Sequence, residues 1–394
     1  MQKLGINGIE LEWFKNYLYN RCQFVSVDKF ISDIITINIG VPQGSVLGPL
    51  LFLIYINDLP KASLFFTLLF ADDTTLLLSH SDINILIFLV NQELKKISLF
   101  FRQLGLSLHP AKTKFMVISH SQAVKSKQIT ILLNSNNENL NDPNLILPIQ
   151  RVLATDDVPA VRFLGIFLDP NLNFQYYIKL ITSKLSRALY ILRSSKNLLT
   201  EDALKSVYYA LFHSNIIYGL PVWSIASQSS LAKLITLQKY AVRIIGNAKY
   251  NAHSEPIFKK LKILPLNQLI QFFNLQIMQQ YRQGFLPAAF NNTWITNQER
   301  REASAEDDRA NIILLLRNHD RLFVPTPRLS SSAKHPYFNL PRSWSEFQNE
   351  NIKIIRDKKE FNFTLKNHLL ETLNSTVVCS RLLCPTCHLI RSVN

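Results

Sequence analysis

Asp72 and Asp73 stand side by side in residues 69–78, "LFADDTTLLL", between two apolar runs. Adjacent carboxylates raised on a tight turn between two strands can point at one spot, which suits a hard divalent cation such as Mg²⁺. Nucleotidyl transfer uses two such cations about 3.5–4 Å apart, one activating the attacking hydroxyl and one holding the leaving phosphates. A solvated turn can carry the same dipeptide without any function, so the pair alone does not decide. A second candidate lies just upstream in "GVPQGSVLGPLLFLIYINDL", a glycine-punctuated loop entering an apolar helix. Gly40, Gly44 and Gly48 let backbone approach a ligand closely, and Gln43 offers an amide to a base or sugar. By itself this segment is a loop before a core helix.

The elements that must position these residues follow from periodicity. Ile9, Trp13, Phe14, Tyr17 and Leu18 fall at helical spacing and predict an amphipathic helix over 8–20. "CQFVSV" and "ITINIG" alternate like the strands of one hairpin. "SLFFTLLF" and "TTLLLS" predict short strands on either side of Asp72-Asp73. A long helix is predicted from about Asp82 to Leu104, where Ile83, Leu86, Ile87, Val90, Leu94, Ile97 and Phe101 keep a 3.6-residue period and Gly105 stops it. "LSLHPAKTKFMVIS" reads as a turn into a strand, and "ILPIQRV" and "VRFLGIFLD" as strands flanking a further turn. From about Asn173 long helical patterns take over, roughly 174–196, 200–217, 227–246 and 265–283. The segment after 290 is polar and less periodic. The fold class is therefore α+β, mixed first and mostly helical afterwards.

Composition narrows the functional classes. The chain has 394 residues and a net charge of +15, with 47% apolar and 18% charged residues. The charge is unevenly placed: residues 1–119 carry +1 and the remainder +14. The half with the Asp pair is almost neutral, while the rest would attract a polyanion. A membrane span needs about 18 or more consecutive apolar residues. The longest run, Val46 to Ile56, is broken by Gly48-Pro49, so no transmembrane segment is expected. Four cysteines, three of them crowded near the end, make no disulfide framework, and an intracellular location, cytoplasm or nucleus, is expected.

Taken in series, these segments resemble the reverse transcriptase domain of non-LTR (LINE-like, jockey-like) retrotransposons over about residues 1–290. "GVPQGSVLGPLLFLIYINDLP" is similar to the family's template- and nucleotide-contacting motif, and "FADD" to its metal-binding turn. "GLSLHPAKTKFMVIS" resembles the turn and strand that follow, and "VRFLGIFLDPNLNF" the strand leading into the primer-binding region and thumb. The "YINDLP" helix end fits this family better than an intron maturase or a telomerase-like polymerase. The resemblance implies a partial polymerase palm, an antiparallel sheet with helices, over 1–119. It further implies a β-rich palm extension and primer-grip region over 120–172, and a helical thumb over 173–290. A polar, helical C-terminal region with a cysteine cluster covers 291–394.

It implies RNA-directed DNA polymerase activity with a two-metal Mg²⁺ site, an RNA template, a DNA primer and deoxynucleoside triphosphates as partners. Asp72 becomes the principal metal ligand and Asp73 its supporting carboxylate; Gln43 and Gly44 face template and nucleotide; Phe70, where many relatives have Tyr, packs near the primer end. Lys112 or Lys114 protonates pyrophosphate, Lys112 being favoured, and His109 stands where Asn is commoner.

Relatives carry an earlier strand with a further Asp, and Met1 lies just after the point where it would end. An N-terminally truncated polymerase of little or no activity is therefore expected; the alternative is a non-catalytic RNA- or DNA-binding remnant. Basic side chains on the thumb helices, interleaved with tyrosines, could follow duplex phosphates. Near the end, Cys379, Cys384, Cys387 and His388 stand at C-x₄-C-x₂-C-H. C-x₂-C is a zinc half-site, but adjacent Cys387 and His388 are hard to aim at one ion. Structural zinc and free thiols both remain open there.

Overall fold

The computed structural model describes residues 2, 5–37, 40–42, 44–134, 146–304, 322–327 and 335–373. The chain divides into two compact units, Met1–Arg151 and Val152–Asn394. Gln43 and the cysteines of the C-terminal cluster, Cys379, Cys384 and Cys387, lie outside the described residues.

The first unit opens with helix α1 (Gly8–Leu18) and four short strands, β1 (Arg21–Gln23), β2 (Ser26–Val27), β3 (Phe30–Ile31) and β4 (Ile35–Ile37). β1 pairs antiparallel with β4, and β2 with β3 inside it, so the expected single hairpin is a nested pair. The amphipathic helix forms, yet none of its residues is buried. Helix α2 (Leu47–Ile56) follows the glycine loop, and then come β5 (Phe66–Phe70), β6 (Asp73–Leu77) and the long helix α3 (Ile83–Gln103). α3 begins on Asp82, whose side chain accepts from the N–H groups of Asn84 and Ile85. Its apolar stripe buries Leu94, Ile97 and Phe101 against Ile56, Leu59 and Phe65. β7 (Lys114–Phe115), α4 (Gln122–Ser126), β8 (Leu132–Asn134), β9 (Ile146–Pro148) and β10 (Gln150–Arg151) complete the unit. β8 pairs antiparallel with β9, and β7 runs parallel to β10. Ile131, Leu133 and Ile149 close the same core from this side.

The second unit begins with "VRFLGIFLD", which folds as a hairpin, β11 (Val161–Phe163) and β12 (Ile166–Leu168), and not as one strand. Leu164 and Gly165 between them both have positive φ, the conformation of a tight two-residue hairpin turn. Asp169 then closes the "DPNLNF" turn. Its carboxylate accepts from Asn171 and Asn173 N–H at 3.1 Å each and from Phe174 N–H at 2.6 Å.

Helix α5 (Gln175–Ser195) follows, then α6 (Glu201–Val207), a π-helical turn at Tyr208–His213, α7 (Ser214–Ile217) and α8 (Leu220–Trp223). Helices α9 (Gln228–Ile245), α10 (Glu255–Leu261) and α11 (Leu266–Arg282) form the centre. The helix expected over 200–217 is present but interrupted by the π turn, while α8 and α10 are too short to show a period.

The last stretches are α12 (Asn297–Ser304), α13 (Pro336–Glu346), α14 (Glu350–Lys353) and α15 (Lys358–Glu371). The sequence predicts a polar, helical tail here; the helices form, and Trp344, Phe361, Leu365 and Leu369 join the core of the second unit. In α15 the buried positions recur every fourth residue, a stripe too narrow to raise the apolar content of the segment.

One polar network locks the centre. Gln238 is fully buried; its Nε2 donates to the Tyr208 hydroxyl and the Leu264 carbonyl, both at 3.0 Å, and its Oε1 accepts from Leu266 N–H at 2.8 Å. α9 is thereby tied to the π turn and to the loop entering α11. Gln238→Leu strands these buried partners, and we expect a loss of about 2–4 kcal/mol in urea unfolding. A loss within about 0.5 kcal/mol of zero would contradict this network as a stabilising element.

Candidate active site

The Asp pair sits at the tip of the β5–β6 hairpin. Pairing runs from Phe66 opposite Leu77 to Phe70 opposite Asp73, which leaves only Ala71 and Asp72 as the connection. Asp73 is therefore the first residue of β6 and not part of the turn, a correction to the expected loop. Ala71 holds φ at +51°, a strained conformation for a residue with a Cβ. Side chains alternate across the ribbon: Thr67, Leu69, Thr74 and Leu76 turn inward, and Leu69 and Leu76 pack on the core of the first unit. Asp73 lies on the opposite face beside Phe70, which is 64% exposed, with Phe66, Leu68 and Leu77 further down. An open apolar face thus leads up to two exposed carboxylates. Among the described residues, neither Asp72 nor Asp73 has a side-chain hydrogen bond or ion pair, so their oxygens are free.

Glu93 fastens this hairpin. It lies on the buried stripe of α3, is only 2% exposed, and accepts from Leu64 N–H at 2.8 Å, two residues before β5. Lys96 donates to its other oxygen at 2.7 Å. The Lys96 ammonium and the Leu64 N–H hold the Glu93 carboxyl below the usual carboxylate range. Sequence reasoning passed over Glu93. The signal was an acid three residues after Val90 and one before Leu94, inside an apolar stripe.

The other candidate residues are dispersed. Gly44 has φ +78° and open space where a Cβ would be, in keeping with an exposed loop that a ligand can approach. Gly48 is different: a Cβ there would meet the Pro42 carbonyl at 3.2 Å and Ser45 Oγ at 3.0 Å. The chain's own loop fills that space, because Ser45 Oγ donates to Pro42 O at 2.8 Å and accepts from Gly48 N–H at 3.0 Å. Lys112 is exposed in a turn closed by its N–H and that of Thr113 on the His109 carbonyl, at 3.0 Å each. No hydrogen bond or ion pair among the described residues links Lys112 to either Asp. Both segments instead reach the same core, Lys112 through Phe115 of β7.

In the second unit, Lys179, Lys184, Arg187, Lys233 and Lys239 are exposed on α5 and α9, which pack against one another. Arg243 has a structural task, donating from Nε to Ala252 O at 2.7 Å. Tyr177 and Tyr208 are core residues, Tyr176 and Tyr209 are half-buried, and Tyr190 is exposed.

This hairpin, the glycine loop before it and the strand after it all fall within residues 1–168, which match the sequence model of the reverse transcriptase (RNA-dependent DNA polymerase) family. That part of the chain, less than half of its length, is similar to the reverse transcriptase family, and the relatives it resembles are polymerases of mobile elements. Over 269 residues, 65% of the chain, it is 26% identical to the probable RNA-directed DNA polymerase from transposon BS of Drosophila melanogaster. Over 281 residues, 68% of the chain, it is 27% identical to the RNA-directed DNA polymerase from mobile element jockey of the same fly. Both matches are longer than the family segment, so the likeness continues into the second unit. The chain spans 28% of the length of each of these relatives. No solved structure matches it. No helix among the described residues is long and apolar enough to cross a membrane.

Glu93 makes the hairpin's attachment pH-dependent. Its folded-state pKa is depressed, so its stabilisation is complete above the ordinary value of 4.5 and is lost as pH falls through the lower folded value. Urea midpoints measured down that range should fall for the parent chain, and Glu93→Gln should lack this part of the acid limb. An unchanged acid limb in the variant would contradict the attachment.

Proposed function

We propose that the chain provides the metal-binding hairpin and the nucleic-acid-contacting helices of an RNA-directed DNA polymerase. The observation that carries this reading is the pair of free, adjacent carboxylates on the two-residue hairpin, inside the family segment. The donor set fits Mg²⁺: hard oxygens, exposed, with no competing cation among the described residues. Mg²⁺ at such a site supplies Lewis-acid activation of a primer 3′-hydroxyl and neutralises triphosphate charge.

The chain's own groups have distinct tasks. Asp72, at the tip, is the principal ligand, and Asp73, fixed by the register opposite Phe70, is the supporting one. The exposed face of Phe70 and Leu68 offers an apolar bed for the primer's terminal sugar and base. Gln43 and Gly44 belong to the loop that contacts template and nucleotide. Lys112 is the proton donor to pyrophosphate, with Lys114 as its alternative. Exposed cations of the second unit follow the phosphates of an RNA template and DNA primer, contacts that are independent of sequence and sensitive to salt.

A second reading, nucleic-acid binding with little synthesis, is favoured by one observation. Among the described residues, no third His, Cys, Asp or Glu joins Asp72 and Asp73 in a metal-sized group. Two carboxylates hold a cation only together with substrate phosphates, so the chain by itself should extend primers slowly at best.

Primer extension on an RNA template with Mg²⁺ separates the readings. We expect trace product that Asp72→Asn removes, with primer–template affinity unchanged. Vigorous, Asp72-dependent synthesis would overturn the second reading, and synthesis indifferent to Asp72→Asn would overturn the metal assignment. Replacing Lys184, Arg187 and Lys239 with Gln should lower the salt slope of duplex binding by about 0.9 for each phosphate that is no longer neutralised. An unchanged slope would count against the helices as the binding surface for the duplex.

A further inference from the structure

The second unit contains a cavity of about 630 Å³, open to solvent, that the polymerase reading does not use. It lies between the beginnings of α5 and α9 and the turn closed by Asp169. Its volume is in the range of pockets that take a nucleotide-sized ligand.

The lining has the parts such a ligand needs. Lys179 on α5 and Lys233 on α9 both face it, and neither has an ion-pair partner among the described residues. A phosphate is the kind of anion that takes charge-assisted hydrogen bonds from ammonium groups. One donor at each helix end is already engaged. Gln175 N–H is held by Asn173 Oδ1 at 3.0 Å and Ser230 N–H by Ser227 Oγ at 3.3 Å. The formal positive charge of the lining comes from the two lysines. Asp169 also borders it, but both carboxylate oxygens are occupied by the three N–H groups of the turn, at 2.6–3.1 Å.

Tyr176 supplies the flat surface. Its ring meets Phe167 edge-on at 5.5 Å and 65°, which braces it from β12 while the residue remains half-exposed on the cavity. A base can stack on a braced aromatic ring whatever its identity, because every base has a π-face. Gln175 and the free amide N–H₂ of Asn173 stand beside it as hydrogen-bond partners for base or sugar. Phosphate-binding cations, a stacking surface and side-chain amides therefore converge in one concave place.

We propose that this cavity is a nucleotide-binding pocket, taking the phosphate on Lys179 and Lys233 and the base on Tyr176. The nucleotide comes either from a single-stranded stretch of nucleic acid or from free solution; the recognised chemistry is the same. The pocket lies wholly in the second unit and does not depend on the metal hairpin.

Titration of the full chain with AMP, adenosine, inorganic phosphate and a ten-nucleotide single-stranded RNA tests it. AMP should bind saturably, with adenosine and phosphate each at least about tenfold weaker. Lys179→Met with Lys233→Met should weaken AMP at least about tenfold, and Tyr176→Leu should weaken AMP without affecting phosphate. Ser186→Ala, exposed on α5 but outside the lining, should change nothing. If the RNA displaces AMP the strand is the source, and if AMP stays bound under saturating RNA the free nucleotide is. Asp72→Asn with Asp73→Asn should leave AMP binding intact, so failure of the polymerase reading does not touch this one. No saturable AMP binding up to about 10 mM, or AMP binding equal in the lysine and Tyr176 variants and the parent, overturns the proposal. Should the double variant melt early, the single Lys233→Gln at an exposed site is judged by the same criterion.

Discussion

The register of one short hairpin carries the account. Phe70 pairs with Asp73, so only Ala71 and Asp72 remain to reverse the chain. That pairing puts Asp72 at the apex and Asp73 on the outward face beside Phe70, while Leu69 and Leu76 anchor the ribbon in the core. A one-residue slip would turn the leucines to solvent and the carboxylate inward, at the cost of their burial and of an unpaired charge. Ala71 at positive φ is the local cost of this arrangement, tolerated because the strands on both sides leave the turn no alternative. Glu93 adds the link to α3, a buried acid whose two oxygens are both engaged.

The second unit reaches order by another route. Its helices bury one large apolar core, and polar connections at Gln238 and Asp169 fix how the helices enter and leave it. Long cationic side chains are thereby left on the outside of α5 and α9, held at fixed spacing by helices that are themselves packed. The proposed duplex-phosphate contacts and the proposed metal hairpin thus lie in different units with different kinds of core. Losing one need not abolish the other.

Much of this was legible beforehand, and the failures have physical causes. Strong periodicity placed α3, α5, α9 and α11 within a residue or two, because each buries a single stripe. The two strands around the Asp pair were visible as apolar runs, but the runs could not say that Asp73 itself enters the ladder. "VRFLGIFLD" looked like one strand because Leu164 gives no turn signal, and only Gly165 hints at the reversal. The helices after residue 335 were expected only as part of a polar, helical region without bounds, because their buried residues are few and α13 carries Pro336 and Pro341. Glu93 was hidden for the opposite reason, as one acid in a strong apolar pattern. Its role depends on a backbone N–H at Leu64, which no local pattern reveals.

The central claim is that the hairpin tip binds a divalent cation through Asp72 and Asp73. Electron paramagnetic resonance of Mn²⁺ titrated into the full chain, with and without a deoxynucleoside triphosphate, reads this directly. The account predicts one class of bound Mn²⁺ strengthened by the triphosphate and lost in both Asp72→Asn and Asp73→Asn. Mn²⁺ retention that is the same in the parent and both variants would contradict it.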